Sequence, residues 1–151
     1  MIISAHIVAG GVLGEILDNP LLAFFAGIVL HFILDAIPHF DNFLDGKHRW
    51  NRKQTIFTSI DLLLTVVLLI LLHPALNFSS PFWWGAFGGL LPDLIDNVPI
   101  VREYLLKFKT IQKYHVFHES THLIRKTNFV FGLFTQAAVI TIFVLLNFML
   151  K

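Results

Sequence analysis

Residues 129–150, FVFGLFTQAAVITIFVLLNFML, run for 22 positions without a charged side chain. About 20 apolar residues carry a helix across the hydrocarbon core of a bilayer, so this stretch predicts a membrane span. It has no polar face to turn toward water, which a surface helix of a soluble bundle needs. The rest of the chain agrees: 56% of its 151 residues are hydrophobic and 14% charged, against about 45–50% and about 25% in ordinary soluble domains. A mean hydropathy of +0.72 belongs with these values.

Four further apolar segments precede it, over 2–17, 21–37, 56–72 and 82–101. Asp18-Asn19-Pro20 reads as a turn between the first two. Pro38 lacks a backbone donor and biases the second to end. The fourth holds Gly85, Gly88, Gly89, Pro92 and Pro99, a composition that predicts a broken or kinked helix. The expectation is an all-α fold: one integral-membrane domain over 1–151, a polytopic bundle of about four to five apolar helices, one of them broken or re-entrant. The start MIISAHIVAGG lacks a basic region and a cleavage site, so the segments are expected to be retained.

Charge sets the expected orientation. Ten of the eleven Lys and Arg fall in two stretches, 41–54 and 102–126. Cytoplasmic loops attract Lys and Arg, so both stretches are expected inside and the uncharged connection 73–81 outside. With that topology His6, the end of the second segment, the end of the fourth, and residues 115–122 all reach the inner face.

The chemistry-bearing residues lie in those regions. His31 and Asp35 are four apart in HFILDA, hence on one helical face. Imidazole and carboxylate ligate zinc at about 2.0–2.2 Å and suit manganese or iron as well. The alternative is a hydrogen-bonded pair stiffening a helix end. His39 follows Pro38, so helical spacing no longer fixes its direction. Asp93 and Asp96, in LLPDLIDN, are neighbours on one face and repel unless a cation or proton lies between them; helix capping by Asp93 is the plainer reading. His118 and His122 share a face if their segment is helical. Glu119 beside them, like Asp96, is a candidate general base for a metal-bound water. His6 either completes a metal shell or caps the first helix, and His115 reads as a surface residue. Asp61 either orients a ligating imidazole or pairs with a loop arginine. No cysteine is present, so a metal has only nitrogen and oxygen ligands.

An N-terminal His before a glycine-rich helix, His31-x3-Asp35, Leu91-Pro92-Asp93 followed by Asp96, and Thr121-His122 after His118 resemble the YdjM-like membrane-bound metal-dependent hydrolases. The resemblance runs from Ala5 to His122. It departs at Asn97, where the family has His, and at 118–122, which is one residue shorter and lacks an Arg-Gly pair. It implies a metal-dependent hydrolase of phosphoesters. A divalent ion, zinc above all, would be held by residues from the set His6, His31, Asp35, His39, Asp93, His118 and His122. Membrane lipids and a small-molecule or lipid phosphoester are then the expected partners, with no nucleic acid expected, and a prokaryotic inner membrane the expected location, the site facing the cytoplasm. An ion or proton transporter and a non-catalytic, metal-stabilised scaffold are the alternatives.

Overall fold

A computed structural model of the chain describes residues 1–40, 52–73, 76–121 and 127–150, and these form seven α-helices and no strand. His122, and Lys47, Arg49, Arg125 and Lys126 of the two basic stretches, lie outside the described residues.

The first helix, α1 (Ile3–Leu17), sits at the centre and packs on four others. Its Ala5, Val8, Ala9 and Val12 are fully buried. The expected turn follows it: Asp18 takes a left-handed conformation (φ 47°), Asn19 accepts a hydrogen bond from Leu22 N, and Pro20 opens α2 (Pro20–Ala36). Each residue suits its place, since Asp tolerates positive φ, Asn caps helices and Pro has no amide to leave unbonded.

Helix α4 (Ser80–Asn97) lies against both α1 and α2. Its glycines explain the closeness. A Cβ on Gly85 would stand 2.2 Å from the Gly10 carbonyl oxygen, and one on Gly88 only 2.1 Å from that of Phe24. Small residues allow such backbone-on-backbone contact. The break expected within 82–101 is present, but not at Pro92: α4 continues through that residue, with neighbouring helices packed on both sides. The break comes at Val98, which Pro99 drives into an extended conformation (φ −80°, ψ 113°) before the short α5 (Pro99–Leu105).

Helix α6 (Lys109–Thr121) returns over the end of the bundle. Phe32 of α2 packs edge-on against Phe117 and His118, and the Tyr114 hydroxyl donates to the Pro92 carbonyl at 3.2 Å. These contacts fix α6 on α2 and α4.

Helices α3 (Arg52–Leu72) and α7 (Phe129–Met149) are each 21 residues long and apolar enough to cross a membrane, by length and composition. They are the two described helices that meet this test, so a bundle of four to five spans goes beyond what these lengths and compositions support. Only 11% and 17% of their most apolar stretches are buried within the chain. Helix α2 likewise turns Leu21, Phe25, Val29 and Ile33, each four residues apart, outward.

Asp61 has a role outside both readings offered for it. From α3 it caps α1: Oδ2 accepts from Ile3 N at 2.6 Å and Oδ1 from Ser4 Oγ at 2.7 Å. Ile2, at the N-cap position of α1, supplies no side-chain bond of its own.

Candidate metal centre

Because α1 runs opposite to α2 and α4, its start meets their ends, and α6 closes over the same point. That geometry gathers His31 and Asp35 from α2, Asp93 from α4 and His118 from α6. One ligand atom of each lies within 4.8 Å of the others, and all four residues are buried.

The separations suit one cation. His31 Nε2 lies 3.1 Å from His118 Nε2, 3.0 Å from Asp35 Oδ2 and 3.9 Å from Asp93 Oδ1. His118 Nε2 lies 3.4 Å from Asp35 Oδ2 and 3.8 Å from Asp93 Oδ1. Ligands held tetrahedrally at about 2.0–2.2 Å stand about 3.3–3.6 Å from one another, so little movement separates this arrangement from a coordination shell.

Both imidazoles are presented in the tautomer a metal requires. His31 Nδ1–H donates to the Gly89 carbonyl at 2.7 Å. His118 Nδ1–H donates to Asp96 Oδ2 at 3.0 Å. In each ring Nε2 therefore faces the cluster, oriented through the other nitrogen as in carboxylate–histidine–metal triads. Without a metal, the charge is met by protons. Burial would lower the His118 pKa, but its bonds to Asp35 and Asp96 and the nearby Asp93 charge push it from 6.5 up to about 10.

The other residues read from the sequence divide. His6 is buried and its ring stacks on His31, centroids 4.1 Å apart. Its Nε2 is 3.2 Å from Asp35 Oδ1 and 4.0 Å from Asp93 Oδ2. The amino group of Met1 also lies against Asp35 Oδ1. The structure does not bring His39 into the group: past Pro38 the chain turns, and its Nδ1 meets the Ile37 carbonyl at 2.7 Å. His122 lies outside the described residues.

Asp96 and Glu119 form a second group with His115, their ligand atoms within 4.8 Å of one another. Here the bonding is of another kind. Arg102 Nη2, which can only donate, lies 3.1 Å from His115 Nε2. That nitrogen accepts, so His115 Nδ1–H donates to Asp96 Oδ1 at 2.6 Å. Both His115 nitrogens are thus used, and the cluster is a hydrogen-bonded brace ending on His118. Arg102 and His115 are the functional candidates the sequence reading passed over. The i, i+3 spacing of His115 and His118, which places both on one face, was the available signal.

No protein-family model, curated protein or solved structure matches the chain.

Proposed function

We propose that the protein is a membrane-embedded, metal-dependent hydrolase of phosphoesters, in line with its resemblance to the YdjM-like hydrolases. The observation that carries the reading is the convergence of His31, Asp35, Asp93 and His118, with each imidazole held by a separate acceptor on Nδ1. Three separate helices deliver buried imidazoles and carboxylates to one point, an arrangement costly to a fold unless a cation or proton compensates it.

His31, Asp35, Asp93 and His118 would hold a divalent ion, zinc in this reading, which would supply Lewis-acid chemistry for attack by water on a phosphoester. The chain's own part is positional. Gly89 and Asp96 set the ring orientations of His31 and His118. Asp96 is engaged on both oxygens, by His118 and His115, which suits it to orienting rather than to taking a proton. Glu119, half-buried beside His115, is the other candidate proton acceptor.

The membrane reading rests on α3, α7 and the outer stripe of α2, whose apolar surfaces no described part of the chain covers. Exposed apolar area of this extent belongs in lipid rather than water. Four helices, α1, α2, α3 and α7, then lie in the bilayer with α4, and the Lys and Arg distribution puts the metal centre at the cytoplasmic headgroups. A phospholipid phosphoester already lies at that depth and is the substrate class proposed.

The test is elemental analysis of the detergent-purified protein beside His31→Ala and Asp35→Ala, with phospholipid vesicles and a chromogenic phosphodiester as substrates. Metal in the wild type, its loss from both variants and hydrolysis that follows the metal are expected. Unchanged metal content in the variants, or none in the wild type, rejects the reading.

A further inference from the structure

Each carboxylate of the cluster turns only one oxygen to the four converging ligand atoms. Asp35 turns Oδ2, and Asp93 turns Oδ1, toward His31 and His118. Their opposite oxygens, Asp35 Oδ1 and Asp93 Oδ2, face His6 Nε2 at 3.2 and 4.0 Å. The two carboxylates therefore stand between the His31–His118 pair and His6.

His6 itself is poorly served as a structural residue. It is 1% exposed, and neither ring nitrogen makes a hydrogen bond. Leaving a buried polar group unsatisfied costs about 1–3 kcal/mol, so native structures rarely tolerate it without cause. The 3.2 Å approach to Asp35 lacks hydrogen-bond alignment, and the ring is stacked flat on His31, which holds Nε2 aimed between the two carboxylates.

We propose that Asp35 and Asp93 bridge two divalent cations, the first held with His31 and His118, the second with His6. This rests on the reading of the cluster as a metal centre. Nitrogen and oxygen donors without thiolate suit zinc, manganese or iron at both positions. Carboxylates shared between paired cations are the usual way to hold two such charges close in a phosphoester-cleaving site.

The experiment is a titration of the chelator-treated, detergent-purified full chain with Mn²⁺ alone, read by bound metal and by electron paramagnetic resonance. Wild type is expected to bind two equivalents and to show the spectrum of an exchange-coupled pair. His6→Ala and His6→Asn are expected to bind one, uncoupled. If neither variant folds, the wild-type spectrum decides by itself: a coupled pair supports the bridge and isolated ions overturn it. One equivalent in the wild type overturns the second cation and leaves the first site standing. No binding in the wild type removes both. Two equivalents retained in a folded His6→Ala overturn the role given to His6.

Discussion

Asp96 holds His118 from behind: its Oδ2 accepts from Nδ1 at 3.0 Å while Nε2 of the same ring looks into the cluster. A carboxylate there fixes the tautomer and makes the imidazole a better ligand. Partners of this kind are worth about 10–100-fold in metal affinity. Asp96→Asn should weaken binding of Zn²⁺ by that factor with helix content unchanged. Competition against a fluorescent chelator measures it; wild-type affinity in the variant contradicts the orienting role.

The proton on His118 and a metal compete for one nitrogen. In the metal-free chain its pKa is raised from 6.5 to about 10. A group that binds its proton more tightly when folded stabilises the fold fully below its unfolded value and loses that contribution as pH rises through its folded one. The thermal midpoint of the metal-free protein should therefore fall between about pH 7 and 10. Metal affinity runs the other way, rising up to tenfold per pH unit below about 10, because binding releases the proton. Thermal scans with and without chelator across this range give both slopes. A flat metal-free midpoint excludes His118 as the controlling group.

The contact of Gly85 with Gly10 sets how near α4 comes to α1. A methyl group on Gly85 would meet the Gly10 oxygen at 2.2 Å, so the helices must part. Overpacking of this kind costs about 1–3 kcal/mol. Gly85→Ala should lower the thermal midpoint, and it should also lower metal occupancy, since Asp93 moves away with α4. Unfolding in detergent followed by circular dichroism, paired with metal analysis, reads both. A variant as stable and as metal-loaded as wild type would show that the close approach is dispensable.

Asp61 caps the helix that carries His6. Removing a capping side chain costs about 0.5–2 kcal/mol. Asp61→Ala should lose stability in that range, while Ser4→Ala, which removes one of the donors to the same carboxylate, should lose less. Equal losses in the two variants would place the effect on Ser4 instead. Denaturation of the two proteins side by side distinguishes these results.

Legibility of the fold varied with how local its cause was. The limits of α1, α2 and α7 follow from runs of apolar residues and the punctuation of Asp18-Asn19-Pro20 and Pro38, and the structure meets them within a residue. The break expected in 82–101 is legible, but which proline makes it is not: α1 and α2 enclose α4 and keep it continuous through Pro92, so the interruption falls at Pro99. The pairing of His31 with Asp35 is legible from a spacing of four, and Asp93 and His118 from their chemistry. What joins them is tertiary: the Gly89 carbonyl has no side chain to announce it, and Asp61 reaches α1 across a gap of 57 residues in the chain. Arg102 and His115 escape for the same reason, their meaning arising only once α6 folds back onto α4.

The enclosure of α1 bears on biosynthesis. A helix of 15 residues rises only about 22 Å and is too short to hold a place in the bilayer by itself. Its walls, α4 and α7, emerge from the ribosome long after it does, and the last donor, His118, emerges between the two. The amino-terminal segment must wait in a provisional location until most of the polypeptide is made. On the proposed reading cation loading is then a late event in maturation, and a nascent chain halted before residue 118 should carry no metal.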